Sequence, residues 1–406
     1  MRFHRRHTTR KRIGFFGLLG SGNLGNDTSF ESALRYIQRA HPEAQLDAMC
    51  MGPDRVREDF GLPAIQVQWS QTYEARVSPG TRMVLKALGK GIDVVRTLRW
   101  VRRHDIVIVP GMGVMEKSLP IRASGIPWTM FLLGFAGAVC KRKVALISVG
   151  ATPIGPRITR RLFDTAARMA SYRSYRDWTS RQAMADRGVD VSRDDVYPDL
   201  VFGLDVPACA DHDPNLVAVG VMAYYGNTND RRRQEAVYRR YLTAMTSLVG
   251  WLVDTGHRVR LFVGDFADDV TVQQIIRDTQ ASRPGLSPEE LAPAPCRTLQ
   301  DQIRGISPAS IVVGTRYHNV LVGLRLAKPM LSVGYSTKHH TVMENLGLAD
   351  FSLSANDIDG AELISTFKAL EQEADVIRKE LVDRVADQTI AVNGQFAVIS
   401  ELIRNS

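Results

Sequence analysis

Short apolar runs alternate with longer amphipathic segments along most of the chain. The apolar runs are rich in valine, isoleucine and leucine, and eight of them have the length of buried strands. The predicted strands are Ile13–Leu19, Gln45–Cys50, Asp105–Val109, Lys143–Val149, Leu216–Met222, Arg258–Val263, Ser310–Val313 and Met330–Val333. Strands that alternate with helices in this way are typical of parallel sheets covered by helices.

The segments between these strands carry the 3.6-residue periodicity of amphipathic helices. The predicted helices are Asp27–Ala40, Thr81–Arg103, Pro127–Cys140, Arg157–Ala170, Trp178–Arg187, Arg231–Asp254, Asp268–Thr279, Leu299–Ile306, His318–Leu326 and His339–Leu346. Residues 356–405 also predict helix, interrupted at Asn393-Gly394. The longest apolar run, Ile126–Cys140, is shorter than the roughly 18 residues that span a bilayer, so we expect a buried helix there.

A turn-rich stretch from Gly203 to Pro214 divides this pattern into two halves, and 406 residues suffice for two domains. The predicted fold class is α/β, with two Rossmann-like domains whose parallel sheets face each other across a cleft (GT-B-like) and a long C-terminal helical segment. The predicted organisation is a basic tail at 1–12, an N-terminal domain at 13–205, a linker at 206–214, a C-terminal domain at 215–355, and C-terminal helices at 356–406 that pack back across the junction.

The net charge of +9 is concentrated in two segments. Residues 1–12 contain six arginines and lysines and no acid, and residues 82–103 contain seven against the single acid Asp93. Outside them acids and bases nearly balance, which argues against a nucleic-acid-binding protein. Segment 82–103 predicts a basic amphipathic helix, broken near Gly89-Gly91, that contacts an anionic membrane surface. The alternative is a solvated basic face on an ordinary helix.

The four cysteines, Cys50, Cys140, Cys209 and Cys296, are far apart and form no C-x-x-C pair. We therefore predict neither a zinc site nor a disulfide framework, and a reducing compartment. The basic start followed by Ile13–Gly20 imitates a signal peptide, but the apolar run is short and no A-x-A site follows. We interpret it as the first strand and predict a cytoplasmic protein, acting at the inner face of the cell membrane if the basic helix binds there.

A glycine-rich loop, Gly20-Ser21-Gly22-Asn23-Leu24-Gly25, follows the first predicted strand and precedes a helix. With Asp47 at the end of the second strand, it satisfies the G-x-G-x-x-G pattern of dinucleotide-binding sites. A tight structural turn is the simpler interpretation. The amide of Asn23 favours a binding role, because it can both donate to and accept from a sugar hydroxyl.

Cationic side chains follow two predicted strands of the second half. Val312–His318 ends a strand with Arg316 and His318 at the start of a helix, and Lys338 stands at the next strand-to-helix turn. Helix N-termini add free N–H groups and a positive dipole end at the same edge of the sheet. The sequence therefore predicts an anion-binding site there.

Taken in order, these motifs resemble the polysaccharide pyruvyl transferase family over roughly residues 13–350. The matching segments are Gly22-Asn23-Leu24-Gly25-Asn26, Val109–Gly113, Ser148–Pro156, Tyr175–Ser180, Tyr197–Leu200, Arg316 with His318, Pro329, Tyr335 and Lys338. The chain departs from the family pattern at Asn26, where an acid is usual and the carboxylate is displaced to Asp27. It departs also at Gly111 and Gly113, a thinned glycine triplet, and at Tyr317, where an aliphatic residue is common.

The resemblance implies transfer of the enolpyruvyl unit of phosphoenolpyruvate onto two hydroxyls of a glycan, giving a cyclic pyruvate ketal in polysaccharide or cell-envelope biosynthesis. No further cofactor or metal is implied, and the glycan acceptor is lipid-linked in one version of this hypothesis. The implied catalytic residues are His318 and Arg316, and the implied donor-binding residues are Arg316, His318, Lys338, Tyr335 and Arg176. The implied acceptor-binding residues are Gly22, Asn23, Gly25, Asn26 and Asp27.

Structural roles remain open for the same side chains. Arg316 could form an ion pair with a neighbouring acid, Lys338 could be a solvated charge, and Arg176 could pair with Asp177 or Asp199. Alternative functions are a two-Rossmann-domain glycosyltransferase that uses a nucleotide sugar, an NAD-dependent oxidoreductase that uses Gly20–Gly25 and Asp47, and a non-catalytic sugar- or anion-binding protein.

Overall fold

The computed structural model describes residues 10–73, 78–116, 123–206, 213–226 and 230–406. Residues 1–9 of the predicted basic tail, 207–212 of the predicted linker, and with them Cys209, lie outside the described residues. The chain divides into a first unit of residues 1–21, 26–203 and 390–406 and a second unit of residues 22–25 and 204–389.

The described part of the first unit contains a seven-stranded parallel sheet in the order β3-β2-β1-β4-β5-β6-β7. Its strands are β1 Arg12–Gly17, β2 Gln45–Cys50, β3 Ala64–Gln66, β4 Ile106–Pro110, β5 Lys143–Val149, β6 Tyr172–Tyr175 and β7 Asp195–Val196. The helices between them are α1 Leu24–Ala40, α2 Pro53–Phe60, α3 Pro79–Arg102, α4 Ile126–Cys140, α5 Arg157–Met169 and α6 Trp178–Asp186. Every residue of β4 is buried, as expected for a central parallel strand that helices cover on both faces.

The described part of the second unit repeats this architecture with six parallel strands in the order β10-β9-β8-β11-β12-β13. The strands are β8 Asp213–Val221, β9 Arg258–Val263, β10 Leu291–Pro293, β11 Ala309–Gly314, β12 Met330–Gly334 and β13 Ser352–Ser354. The helices are α7 Arg231–Asp254, α8 Asp269–Ser282, α9 Leu299–Ile306, α10 Tyr317–Arg325 and α11 Thr337–Asn345. Both β11 and β12 are buried along their full length, and both end beside the start of a helix.

One helix of 45 residues, α12 Gly360–Arg404, ends the described chain. The predicted interruption at Asn393-Gly394 is therefore wrong. A glycine costs a helix only about 1 kcal/mol relative to alanine, and burial of Val392 and Phe396 on either side of Gly394 outweighs that cost. Gln395 is fully buried, donating to Ser174 Oγ at 2.5 Å and accepting from Ser148 Oγ at 2.9 Å.

All eight predicted strands are present, and β2, β5 and β9 have the predicted bounds. The sequence did not predict five strands of two to four residues, namely the edge strands β3, β7, β10 and β13 and the strand β6 next to β7. The break predicted near Gly89-Gly91 does not occur, because α3 runs unbroken past both glycines. The apolar run Ile126–Cys140 forms α4 as predicted. No helix in the described ranges is long and apolar enough to cross a membrane.

Candidate functional site

The carboxyl ends of the strands in the second unit carry the predicted anion-binding residues. Arg316 follows β11 in an extended conformation and immediately precedes the first residue of α10. The loops that follow β9 and β12 reach the same edge of the sheet, because neighbouring strands are parallel. Ligands of Rossmann-like sheets bind at this edge.

Arg316 forms a bidentate ion pair with Asp268, which follows β9. The Arg316 Nε atom lies 2.8 Å from Oδ2 of Asp268, and Nη2 lies 2.6 Å from Oδ1. The side chain of Asp268 is fully buried and that of Arg316 is 26% exposed. Asp268 also accepts a hydrogen bond from the backbone N–H of Ala223, at 2.9 Å. The carboxylate thus fixes the guanidinium from behind while one side of it remains accessible.

Burial of Arg316 acts to lower its pKa, but the hydrogen bonds and the charge of Asp268 outweigh burial and raise it. The guanidinium is therefore permanently charged. Five N–H donors are available on an arginine, and two of them are directed at Asp268. The remaining three can bind an anion such as a carboxylate or a phosphate.

His318 lies against the glycine loop. Residues 22–25 belong to the second unit. There the Leu24 N–H donates to Gly264 O at 3.2 Å, and Asn23 forms an isolated antiparallel β-bridge with Asp265. A Cβ atom at Gly25 would overlap the imidazole of His318, so only glycine permits this approach. The structure thus brings Gly22–Gly25, Arg316 and His318 together within one unit.

Aromatic rings surround the start of α11. Lys338 Nζ lies 4.9 Å from the ring centroid of Tyr317, a cation–π contact. The Tyr335 ring lies 4.8 Å from that of His339 and is stacked at 5.8 Å on Tyr224. Tyr335 and Lys338 are both predicted donor-binding residues. Tyr335 lies in the two-residue connection between β12 and α11, and Lys338 lies in the first turn of α11.

Arg176 belongs to the first unit and contacts three carboxylates. Its side chain is 1% exposed and pairs with Glu116, with Asp199 at 3.5 Å and with Asp177 at 3.7 Å. These are the pairings with Asp177 and Asp199 that the sequence left open, with Glu116 added. Burial raises the pKa of Asp199, and Arg176 acts to lower it. The guanidinium is thus surrounded by acids of its own unit.

Asn26 and Asp27 lie in the first turn of α1, which begins three residues earlier than predicted, at Leu24. Asn26 Nδ2 lies 3.5 Å from Ser21 Oγ. Asp27 is buried and accepts a hydrogen bond from the Gly20 N–H at 2.6 Å, while its Oδ2 atom has no hydrogen-bond partner among the residues that the structure describes. Burial raises the pKa of Asp27 to about 6, against the opposing effect of the Gly20 hydrogen bond.

Asp47 does not stand where a ribose-binding acid would. It is the third of six residues in β2, not the last, so the predicted position at the strand end is wrong. Its Oδ1 atom accepts from Trp100 Nε1 at 2.8 Å and lies 3.0 Å from His104 Nε2. The carboxylate is committed to these two side chains, which removes the acidic element of the dinucleotide pattern.

The sequence analysis missed Asp268 and Glu116, the acids that hold the two arginines. One sequence signal could have identified Asp268: the segment Gly264-Asp265-Phe266-Ala267-Asp268 directly follows a predicted strand, and Arg316 also follows a predicted strand. No sequence signal pointed to Glu116, because it lies in an irregular segment after β4. Among the described residues, no group of three or more His, Cys, Asp or Glu side chains could hold a metal ion.

Several solved structures share the fold of this chain at low sequence identity. A putative UDP-N-acetylglucosamine 2-epimerase from Listeria monocytogenes superposes with a TM-score of 0.62 at 13% identity, covering 98% of each chain. UDP-GlcNAc 2-epimerase from Neisseria meningitidis, bound to UDP-GlcNAc, gives 0.61 at 11% identity, covering 98% of this chain and all of the other. HepE from Anabaena, in complex with UDP, gives 0.60 at 12%, covering 97% and 100%. The predicted class of two Rossmann-like α/β domains, GT-B-like, is confirmed.

Sequence comparison gives the family. No curated protein sequence matches the chain. The family model described as polysaccharide pyruvyl transferase matches residues 23–337, which include the second half of the glycine loop, Asn23–Gly25, and Arg176, Arg316 and His318. This span covers most of the chain, so the chain belongs to the polysaccharide pyruvyl transferase family.

Proposed function

We propose that this protein transfers the pyruvyl group of phosphoenolpyruvate onto two hydroxyls of a glycan and forms a cyclic pyruvate ketal. The observation that carries the proposal is the partly exposed Arg316, fixed by buried Asp268 next to His318 and the glycine loop. Family membership supports the transferase class.

The donor carries a carboxylate and a phosphate close together, so its site must gather cations. Arg316 presents three N–H donors on a planar fork, which suits bidentate binding of either group. Lys338, held over the ring of Tyr317, supplies a second positive charge near the start of α11. Tyr335 adds a hydroxyl that can donate to a phosphate oxygen.

His318 is assigned the proton transfer. Protonation of the donor methylene makes an oxocarbenium-like centre at C2, which the first glycan hydroxyl attacks. The second hydroxyl then closes the ring as the C2–O bond to phosphate breaks. One hydroxyl proton returns to His318 and restores the proton that the imidazole delivered to the methylene carbon. The other hydroxyl proton leaves with phosphate. General acid–base catalysis of this kind contributes about 10²–10⁴-fold.

The acceptor side of the proposal uses the glycine loop. Gly22 and Gly25 allow close backbone approach, and the first turn of α1 contributes Asn26 and Asp27. The Asn23 Oδ1 atom accepts from the Gly25 N–H at 3.0 Å, which leaves its amide N–H₂ to donate to a sugar hydroxyl. Asp27 is buried and accepts the Gly20 N–H at 2.6 Å, so its role in the proposal is to hold the glycine loop in place for the acceptor.

We also propose that α3 contacts an anionic membrane, which would place the reaction at the cytoplasmic face and favour a lipid-linked acceptor. Val84, Leu88 and Val95 are exposed and recur at helical spacing on one side of α3. Vesicle flotation tests this directly: V84S/L88S/V95S should weaken binding to anionic vesicles several-fold. Flotation that does not depend on anionic lipid would eliminate the membrane contact.

A glycosyltransferase is the second candidate, because similar folds from Anabaena and Neisseria meningitidis were solved with UDP and UDP-GlcNAc bound. The deciding experiment is calorimetric titration of the protein with phosphoenolpyruvate, UDP-GlcNAc and NADH in parallel. The donor-site variant R316Q/D268N removes both charges of the ion pair and so leaves no buried charge unpaired. R283Q/D254N is the matched control, since Arg283 forms an equally bidentate, 28% exposed pair with Asp254.

We expect phosphoenolpyruvate to bind to the unmodified protein and to the control but not to R316Q/D268N. Product analysis by mass spectrometry should then show a glycan heavier by one pyruvyl ketal. Binding of UDP-GlcNAc without phosphoenolpyruvate would transfer the proposal to the glycosyltransferase, and NADH binding alone would revive the oxidoreductase.

A further inference from the structure

A cavity of about 870 Å³ lies at the amino-terminal edge of the first sheet, opposite the edge at which the strands end. Arg12 and Gln45 begin β1 and β2, while Asp105 and Arg142 stand one residue before β4 and β5. The end of α3 closes one side. None of the residues assigned to donor or acceptor lines this cavity.

Six arginines and one carboxylate line the cavity, with Gln45 as the eighth residue. The arginines are Arg10, Arg12, Arg99, Arg102, Arg103 and Arg142, and the carboxylate belongs to Asp105. Like charges gathered in one place repel each other even in water. A binding anion would relieve that repulsion.

The acids in reach neutralise only part of this charge. Asp105 Oδ1 lies 3.4 Å from Arg142 Nη1, and Oδ2 accepts from the backbone N–H of Arg12 at 2.9 Å. Arg10 pairs with Glu43 at 3.1 Å, where both side chains are exposed. Arg12 Nε donates to the neutral Gln45, at 3.1 Å.

Arg99, Arg102 and Arg103 have no carboxylate within 4 Å in the part of the chain that the structure describes. All three are exposed and project from the last turn of α3 and the residue after it. A helix C-terminus favours cations, which explains arginines on α3. It does not explain why Arg12 and Arg142, from two strand starts, line the same cavity.

The lining also restricts the chemistry of the ligand. Guanidinium groups bind phosphate oxygens bidentately and hold a full charge at every physiological pH. Among the described residues no aromatic or aliphatic side chain lines the cavity, so a nucleobase could stack only on guanidinium planes and a sugar ring finds no apolar surface. The volume lies within the range of small-molecule sites and exceeds the needs of a single phosphate. These features favour a compact anion with several negative charges.

We propose that this arginine cavity binds a ligand with two or more phosphate groups, at a site separate from the proposed transfer site. The phosphates come either from a soluble diphosphate or from the headgroups of an anionic lipid. The proposal does not depend on pyruvyl transfer, because its ligand, its residues and its readout are all different.

Calorimetric titration with inorganic pyrophosphate, and with inorganic phosphate for comparison, tests the site in the full chain. R99Q/R102Q/R103Q should weaken pyrophosphate binding tenfold or more, and phosphate should bind more weakly than pyrophosphate. R231Q/R232Q/R233Q is the matched control: it removes the same charge from three arginines at the exposed start of α7. The control should stay within twofold of the unmodified protein.

A conservative variant separates charge from geometry. R99K/R102K/R103K keeps every charge but loses the planar forks, so its affinity should fall between those of the unmodified protein and the glutamine triple. Circular dichroism of all variants establishes that they fold. Absence of pyrophosphate binding, or equal losses in the cavity triple and the control triple, would overturn the proposal.

Vesicle flotation identifies the source of the phosphates. Flotation with phosphatidylglycerol vesicles that pyrophosphate competes away, and that R99Q/R102Q/R103Q abolishes, would assign the cavity to lipid headgroups. If pyrophosphate binds to the protein but does not displace it from vesicles, the cavity would be assigned to a soluble diphosphate. Raising the salt to about 0.15 M should weaken both, since exposed charges are screened beyond about 8 Å there.

Discussion

Arg176 in the first unit and Arg316 in the second occupy equivalent places and have opposite environments. Each follows the end of a parallel strand, and each stands one or two residues before a helix. Arg176 is 1% exposed and faces Glu116, Asp177 and Asp199. Arg316 is 26% exposed and, within the described residues, forms an ion pair with one carboxylate, that of Asp268.

The difference shows that position in the fold does not by itself make an arginine a ligand-binding residue. Three acids around one buried guanidinium occupy the space in which an anion would have to bind. One acid behind the guanidinium uses two donors and orients the rest. The number of carboxylates and the exposed fraction therefore distinguish an arginine held within a cluster of acids from one that can bind an anion.

The largest effect on turnover should come from substitution of His318. This residue lies two positions after Arg316, where the first unit has the exposed Trp178 two positions after Arg176. Only His318 can exchange protons. H318Q should lower turnover about 10²–10⁴-fold and change phosphoenolpyruvate affinity only a few-fold. Phosphate release in the presence of acceptor glycan measures turnover, and calorimetry measures affinity.

The control for this substitution is H257Q, which replaces a histidine of the same unit that lies 2.7 Å from Glu371. It should keep turnover near normal. An H318Q variant within threefold of the unmodified protein would remove His318 from the proton-transfer role.

Replacement of Arg176 should affect stability more than binding. R176Q leaves three acids without their cation in a buried cluster, so unfolding in urea should show a loss of about 3–5 kcal/mol. The double variant R176Q/E116Q should recover part of it. A stable R176Q protein that no longer binds phosphoenolpyruvate would break the comparison and make Arg176 a donor ligand.

Replacement of Arg316 by lysine keeps the charge and removes the fork. R316K cannot hold Asp268 bidentately and present a second pair of donors, so turnover should fall about 10²-fold or more, near 3 kcal/mol. R283K carries the same change in the matched exposed pair with Asp254 and should leave turnover unaffected. Near-normal turnover in R316K would argue that Arg316 supplies charge alone.

Asp27 offers a third environment, a buried carboxylate with no arginine or lysine within 4 Å among the described residues. Its pKa is raised from 3.8 to about 6, mainly by burial, so folding favours the protonated form. The protonated form stabilises the fold below the unfolded-state pKa, and this contribution is lost as the pH rises through about 6.

D27N should therefore be more stable than the unmodified protein at pH 8, by about 1–3 kcal/mol, and equal to it near pH 4. Urea unfolding at both pH values measures the difference. D383N, at an exposed position of α12, should show no such pH dependence. Equal effects of D27N at both pH values would contradict the raised pKa.

The sequence predicted the central elements well because burial on both faces leaves a clear apolar run. Strands such as β5 and β9 and helices such as α7 and α9 occur with the predicted bounds. The missed edge strands β3, β7 and β10 are two or three residues long and carry no such pattern. Their pairing depends on a neighbouring strand that is already in place, so tertiary structure decides them.

The site was predictable in its cations and not in their partners. Arg316, His318 and Gly25 were recognised from motifs, because each precedes or follows a pattern visible in the chain. Asp268 lies 48 residues from Arg316, and its loop follows β9, which is separated from β11 by β8. Only the strand order reveals that an arginine side chain spans this gap. The role of Asp47 was wrong although the bounds of β2 were predicted correctly, because Asp47 is the third residue of that strand and its carboxylate contacts Trp100 and His104.

Because α12 returns to the first unit, the core of that unit can be completed only at the end of synthesis. Residues 390–404 supply Val392, Phe396, Ile399 and Ile403 to the buried interior of the first unit, where Phe396 stacks on Tyr36 at 4.6 Å. A ribosome makes them only after the whole of 204–389. The unit that is synthesised first is therefore completed last. At ordinary elongation rates, synthesis of the second unit takes about ten to forty seconds, and during that time apolar surface of the first unit stays exposed.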